Sequence, residues 1–332
     1  MSLYSVVVPV MNEEGNIGLM YDRVKNTFDK MNENFEIIFV DDGSKDNSFL
    51  KMRELCETDS RVKAVKLSRN FGHQIGVTAG IDHSQGEAVI MIDGDLQDPP
   101  EFIEELVNKY KEGYNVVYAV REKRKGETFF KRATAALFYR ILRRLTKIDI
   151  PLNTGDFRLI DRKVADSLVL SREKHRFLRG LTSWAGFKQI GIPFTRQERF
   201  SGSTKYPMKK MIKFALDGIT SFSFFPIKFF MFIGFIVGFL SLVFGGYIII
   251  KRILGGTIEP WASLMVAILF LSGIQLFSIG IIGDYLGRVY DEVRDRPLYI
   301  VDYIVNFDKE GKPAAKTTDR EAKEIALDNK DL

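Results

Sequence analysis

The amino-acid sequence points to an α/β domain, a parallel sheet covered on both faces by helices, followed by two membrane-spanning helices. Three observations carry this. Short runs rich in Val and Ile alternate with helical patterns over roughly the first 195 residues. Polar clusters follow several of those runs. Phe229–Ile250 and Trp261–Ile282 contain no Asp, Glu, Lys or Arg, and each is long enough for the ~20 apolar residues that a bilayer core requires.

The expected strands are Tyr4–Val10, Phe35–Val40, Val62–Leu67, Ala88–Ile92 and Val116–Val120, all short and apolar as buried strands are. Helices are expected near Glu14–Met31, Asp46–Glu57, Gln74–Asp82 and Glu101–Glu112. The fourth is well marked: Pro99 and Pro100 suit its first turn, Glu101 and Glu104 its dipole, and Gly113 its C-terminal cap. Strand–helix alternation of this kind argues for a parallel sheet.

Composition excludes several classes. The 332-residue chain carries 48 Lys or Arg against 43 Asp or Glu, a net charge of +5. The two apolar runs exclude a purely soluble enzyme and a disordered chain, and one cysteine, Cys56, excludes a disulfide scaffold. His73, His83 and His175 show no zinc-ligand spacing. Met1–Val10 lacks the basic start of a signal peptide, so none is expected. Two basic amphipathic stretches, Glu127–Thr146 and Pro207–Phe225, suit an anionic lipid surface or packing on the sheet. Their charge concentrates beside the apolar runs, so no nucleic-acid partner is expected. Lys309–Leu332 reads as a charged tail.

In a parallel α/β sheet, ligands bind outside the carboxyl ends of the strands. Three such ends are polar here: Pro9-Val10-Met11-Asn12-Glu13-Glu14, Asp41-Asp42-Gly43-Ser44-Lys45-Asp46, and Asp93-Gly94-Asp95-Leu96-Gln97-Asp98-Pro99-Pro100. Taken singly, Asn12 reads as a helix cap and Asp42-Gly43-Ser44 as a turn. Three acidic ends in one sheet repel one another unless a cation or hydrogen-bond donors offset them. Asp93, Asp95 and Gln97 recur every second residue, which in extended backbone puts them on one side. Carboxylate and amide oxygens suit Mg²⁺ or Mn²⁺. No Gly-x-Gly-x-x-Gly follows the first strand and no Walker lysine loop is present, so phosphates are expected on metal and basic side chains.

These three motifs, with Asn153-Thr154-Gly155-Asp156-Phe157-Arg158-Leu159 and Arg199-Phe200-Ser201-Gly202-Ser203-Thr204-Lys205-Tyr206, resemble the family 2 glycosyltransferases of GT-A fold. The nearer likeness is to polyprenyl-phosphate glycosyltransferases, the group of dolichol-phosphate mannose synthase and the bacterial bactoprenol glucosyltransferases. It extends to about Val305 and includes both apolar runs. The resemblance implies a Rossmann-like nucleotide-diphospho-sugar transferase domain. It places Pro9, Asn12 and Glu14 in the nucleotide pocket, with Asp42 on the base. Asp93 is implied near the ribose and donor sugar as a nucleotide-binding and catalytic group, Asp95 and Gln97 on the metal, and Asp156 as catalytic base. Arg121, Arg132, Arg199, Ser203 and Lys205 are implied at donor and acceptor phosphates. Processive members carry Gln-x-x-Arg-Trp, where Arg179-Gly180 and Trp184 stand here, so polymerisation is not expected.

The reading that follows is inverting transfer of one hexose, UDP-glucose favoured, to a polyprenyl phosphate such as undecaprenyl phosphate, with Mg²⁺ or Mn²⁺. Mannose, GlcNAc or aminoarabinose on the same carrier remain open, as does a non-catalytic sugar-nucleotide-binding membrane scaffold. The expected organisation is a catalytic domain over 1–206, a juxtamembrane helix over 207–225, two spans within 226–288 (226–252 and 261–286), and a C-terminal extension and tail over 289–332. Between Arg196 and Lys228 stand seven Lys or Arg against Glu198 and Asp217, whereas Lys251–Pro260 has Lys251 and Arg252 against Glu259. That bias puts the catalytic domain and both termini on the cytosolic face of the cell membrane. Small residues four apart, Gly234 and Gly238, Ser241 and Gly245, and Gly283 and Gly287 at the end of the second span, suggest that the spans associate within or between chains, and a homo-oligomer is expected. The alternation of Tyr299–Val305 suggests an edge strand pairing between protomers.

Overall fold

The computed structural model describes residues 3–121, 154–195, 225–254 and 261–307. The basic stretches over 127–146 and 207–224, the tail after residue 308, and Arg132, Arg199, Ser203 and Lys205 lie outside the described residues.

The chain forms two units, one built on 1–139, 148–205 and 297–332, the other on 140–147 and 206–296. Described elements of the first are β1 (Leu3–Val10), α1 (Ile17–Met31), β2 (Asn34–Asp41), α2 (Ser48–Thr58), β3 (Val62–Leu67), α3 (His73–Asp82), β4 (Ala88–Met91), a 3₁₀ turn (Pro100–Phe102) and α4 (Ile103–Lys111). They continue as β5 (Val116–Arg121), β6 (Thr154–Asp161), α5 (Arg162–Leu170), α6 (Leu178–Trp184), β7 (Gln189–Phe194) and β8 (Val301–Val305). Gly113 stands just past α4 at φ +91°, the left-handed capping position its place in the sequence implied.

The strands form one eight-stranded sheet in the order β7-β5-β6-β4-β1-β2-β3-β8. Its centre, β4-β1-β2-β3, is parallel as expected. The whole sheet is mixed, which corrects the expectation of a parallel one. β6 runs antiparallel to both β4 and β5, and β8 antiparallel to β3. Apolar runs report burial, and burial does not fix direction. β6 was not foreseen as a strand, because Gly155, Asp156 and Arg158 interrupt its apolar pattern. β8 is the expected edge strand, at the end of the sheet and paired on its inner side with β3 of its own chain.

Strand order reverses at β1, so the crevice between the carboxyl ends of β1 and β4 is the switch point where such sheets bind ligands. Pro9 helps to open it. The Val7 carbonyl accepts the Ile92 N–H (3.1 Å), so Val7 and, two residues on, Pro9 face the β4 side. The ladder to β4 ends at the Val7–Met91 pair, so the N–H that proline lacks costs no ladder bond. One face of the sheet packs β1, β2 and β4 side chains such as Val6, Phe39 and Ile90 against Ile17, Met20, Met52 and Leu106 of α1, α2 and α4. The other packs Val7, Val89 and Ile160 against Val77, Val164 and Leu181 of α3, α5 and α6. α3 lies close on β1, because a Cβ on Gly80 would stand 2.2 Å from Val7 Cγ1.

The second unit contains α7 (Phe225–Ile253) and α8 (Trp261–Val293). At ~1.5 Å per residue both exceed the ~30 Å of a bilayer core. Their candidate spans are Phe229–Ile248 and Phe270–Val293. Phe230 and Phe277 meet with ring centroids 5.1 Å apart, while Phe235, Leu242, Leu276 and Ile279 are exposed. Such a surface suits lipid and not water.

Candidate active site

The ends of β1 and β2 are tied together by the residues that make them look like nucleotide motifs. Asn12 adopts φ +56°; its N–H donates to Ser44 Oγ (2.9 Å) and its Oδ1 accepts the Lys45 N–H (2.8 Å). Glu13 N–H donates to Ser48 Oγ (3.0 Å), and Glu14 Oε2 accepts the Asn47 N–H (3.0 Å). Asn12 and Glu14 therefore shape the two loops that border the crevice. Asp42 is buried, and its two oxygens accept the N–H groups of Phe71 (2.7 Å) and Gly72 (2.9 Å) from the loop before α3. Burial pushes its carboxyl up, and those two donors oppose the rise. Gly43, at φ +77°, admits the same loop, since a Cβ would fall 2.6 Å from the Asn70 nitrogen. Asp42 thus holds a third strand-end loop against the pocket.

The charged centre lies where β4, β6, α3 and α6 converge. Asp156 stands near the start of β6, and antiparallel pairing of β6 with β4 brings that start to the carboxyl end of β4. Arg179 Nε on α6 donates to Asp156 Oδ1 (2.8 Å), and Arg179 Nη1 donates to the Thr154 carbonyl (2.8 Å). Gln74 Nε2 donates to Asp156 Oδ2 (2.9 Å), and Gln74 Oε1 accepts the Leu178 N–H (3.0 Å). His73 Nε2 lies 3.1 Å from Asp156 Oδ2 and 3.4 Å from Asp93 Oδ1. Burial alone would raise Asp156, yet the Arg179 charge and the His73 and Arg179 hydrogen bonds hold it well below the usual carboxylate range. For His73, burial pushes down, but the hydrogen bond to Asp156 and the charges of Asp93 and Asp156 prevail, and its pKa rises from 6.5 to about 9. Asp93 is pushed up by burial, with His73 opposing and Asp156 and Asp95 adding to the rise.

The loop after β4 is a turn. Leu96 sits at φ +57°, and Asp95 Oδ1 accepts the Gln97 N–H (3.1 Å). The strand ends at Met91, so the every-second-residue argument for Asp93, Asp95 and Gln97 does not operate; a turn brings the first two together instead. A Cβ on Gly94 would meet the Pro9 carbonyl at 3.1 Å, so this turn leans on the end of β1. Arg121 lies at the same rim, with Nη2 3.9 Å from the buried Asp98, and a Cβ on Gly155 would strike it at 2.7 Å. The donors fit a divalent cation. His73, Asp93 and Asp156 bring side-chain atoms within 4.8 Å of one another, and Asp95 is close enough to raise Asp93; with His73 protonated, the carboxylate oxygens are the donors, and His73 ligates only in its neutral form. That excess of oxygen donors and negative charge suits a small cation.

His73, Gln74 and Arg179 were missed as site residues. The signal for the first two was Asn70-Phe71-Gly72-His73-Gln74, another polar segment after a strand; Arg179 was marked only by its place in the region where processive members carry Gln-x-x-Arg-Trp.

The raised His73 pKa fixes the sign of a pH effect. Its ion pairs stabilise the fold fully below about pH 6.5, and that contribution is lost as pH rises through about 9. Thermal unfolding of the wild type and His73→Gln is therefore expected to differ most near pH 6, with the gap closing by about pH 10. A gap that stays constant over that range would exclude a charged His73.

Comparison with known proteins identifies the family. The family model for glycosyl transferase family 2 matches residues 5–169, and that for the GtrB C-terminal hairpin matches 225–289. The uncharacterized glycosyltransferase YkcC of Bacillus subtilis (strain 168) is 55% identical over 301 residues, covering 90% of this chain and 93% of its own. A prophage bactoprenol glucosyl transferase homolog of Escherichia coli (strain K12) is 40% identical over 298 residues, covering 90% of this chain and 97% of its own. Among solved structures, glucosyl-3-phosphoglycerate synthase from Mycobacterium tuberculosis is similar at a TM-score of 0.46 and 20% identity, covering 67% of this chain and 79% of its own. With such identity over 90% of the chain, the protein belongs to the family 2 glycosyltransferases.

Proposed function

We propose that the enzyme transfers a single hexose, with inversion at the anomeric carbon, from a nucleotide sugar to a polyprenyl phosphate at the cytosolic face of the cell membrane. UDP-glucose is the donor and undecaprenyl phosphate the acceptor in this reading. The observation that carries it is the alignment of a bactoprenol glucosyl transferase homolog with 90% of the chain. Chemistry supports it independently. A nucleotide sugar is water-soluble, so two apolar helices have a catalytic purpose when the second substrate is a lipid.

In this reading Pro9, Asn12, Glu14 and Asp42 frame the nucleoside, and Asp93 faces ribose and sugar. Asp95 and Gln97, with Asp93, would hold Mg²⁺ or Mn²⁺, whose charge would offset that of the departing diphosphate. Arg121, Arg132, Arg199, Ser203 and Lys205 contact phosphates of donor and acceptor. Asp156 orients and does not abstract a proton. The second pKa of a phosphate monoester is about 6, so the attacking oxygen is already largely deprotonated near neutral pH. A carboxylate held low by Arg179 and His73 is also a weak base. Its task is to hold those two cations where two phosphates must approach one sugar.

The test is incubation of membranes with a panel of radiolabelled nucleotide sugars, followed by lipid extraction. Label from UDP-glucose is expected in a polyprenyl-phosphate fraction, lost in excess chelator and restored by Mg²⁺ or Mn²⁺. Label from another sugar alone would move the donor assignment, and no labelled lipid from any would refute transfer.

Asp156→Asn is expected to lower turnover by ~10²-fold through misplacement, with no recovery between about pH 6 and 8. A profile climbing to the wild-type rate above the phosphate pKa would assign a general base instead.

Orientation rests on the charge bias already described. Cys56 is the only cysteine of the sequence and is buried. Gly256→Cys is therefore expected to react with an impermeant maleimide in intact cells. Labelling only after lysis would reverse the assignment.

A further inference from the structure

α3 is held at both ends. Its first turn carries His73 and Gln74, which sit on Asp156 Oδ2 at 3.1 and 2.9 Å. Its last residue, Asp82, takes part in a separate polar joint. The Tyr299 hydroxyl and Arg172 Nη1 both donate to Asp82 Oδ2 at 2.7 Å. The Asp82 side chain is only 9% exposed, and its Oδ1 is buried without a partner. Burial and the Asp82 charge push the Tyr299 hydroxyl far up, which keeps it a donor.

Tyr299 belongs to the segment that leads into β8, six residues beyond the end of α8 at Val293. That segment is stitched along its length. The Ile300 carbonyl accepts the Ser68 N–H (2.9 Å), Asp302 pairs with Lys66 (3.4 Å), and Asn306 Nδ2 donates to the Cys56 and Val62 carbonyls (2.8 and 2.7 Å). Between its ends α3 has little freedom, because Gly80 rests on Val7 and Gly76 on Pro9. A ten-residue helix so packed transmits a displacement of one end to the other.

We infer that Tyr299 and Asp82 are positioning residues, through which the strap following the second apolar helix sets α3 and so places His73 and Gln74 on Asp156. This rests on the proposed role of Asp156 as an orienting group. Within this joint, the Tyr299 hydroxyl is the strap group bonded to α3. Tyr299→Phe removes one donor and keeps the ring beside His83, whose centroid is 6.4 Å away. Asp82→Asn keeps the shape of the acceptor and removes its charge.

The experiment uses the full-length protein in detergent, with hydrogen exchange and transfer kinetics measured on wild type, Tyr299→Phe, Asp82→Asn and, as control, Asp302→Asn. For the first two variants, amides Ile75 and Gly76, which both donate to the Gly72 carbonyl, are expected to exchange faster while those of β1 stay protected. Turnover is expected to fall about ten-fold, with the donor KM within about two-fold, and Asp302→Asn to match wild type. Unchanged exchange at Ile75 and Gly76 in both variants would overturn the inference. So would faster exchange confined to residues 299–307, or faster exchange at α3 with full turnover. A wild type that labels no lipid would refute the proposed reaction instead, and the exchange data would still decide the strap.

Discussion

The site depends on one buried carboxylate. Ionised Asp156 inside the protein would cost several kcal/mol if it were unpaired, so the fold must deliver cations and donors to it. It does so from two helices, with Arg179 arriving on α6 and His73 and Gln74 on α3. Gln74 also takes the Leu178 N–H, which fixes α6 to α3 independently of charge. Breaking such a pair by removing one partner typically costs ~3–5 kcal/mol. The residues that meet at the candidate site therefore also form a structural joint among four elements.

This joint requires the antiparallel insertion of β6. In an all-parallel sheet the beginning of a strand lies at the end opposite the ligand crevice. Because Met91 pairs with Arg158 in reversed direction, the start of β6 meets the end of β4, and Asp156 joins Asp93 there. The charges do not cancel fully around Asp93. Burial, Asp156 and Asp95 raise it, and His73 and Arg121 only partly oppose them. A site that strains its own carboxylates in this way favours whatever positive charge enters the crevice.

What could be read in the sequence follows from how local each feature is. The four central strands are short, mostly apolar runs that are largely buried, and a short apolar run between turns needs no distant partner to be recognised. β6 was hidden because its polar members are neutralised by residues far along the chain. Arg179 lies 23 positions from Asp156, and Gln74 lies 82 positions away. His73 showed no metal spacing, since spacing reports ligands on one element, and this trio is drawn from three. Asn12, Glu14 and Asp42 stood out as polar strand ends, but their hydrogen bonds to neighbouring loops could not be seen without the register of those loops. Leu96 broke the two-residue period because a left-handed leucine is not expected from its residue type.

The order of segments adds a constraint that none of these elements carries alone. The sheet is built from residues before the apolar hairpin and closed by β8 after it, with Ala64 facing Val305 across more than 240 positions of chain. Loop-closure entropy grows slowly, by ~0.6 kcal/mol per doubling of length, so such a distant strand is affordable only if its local ties are good. They are: β8 brings a ladder, the Lys66–Asp302 pair and two hydrogen bonds from Asn306. Without β8, β3 would be an open edge beside the loop that Asp42 holds, and an open edge invites pairing with another chain. Closing it from within the chain makes completion of the catalytic sheet depend on residues synthesised after the apolar helices.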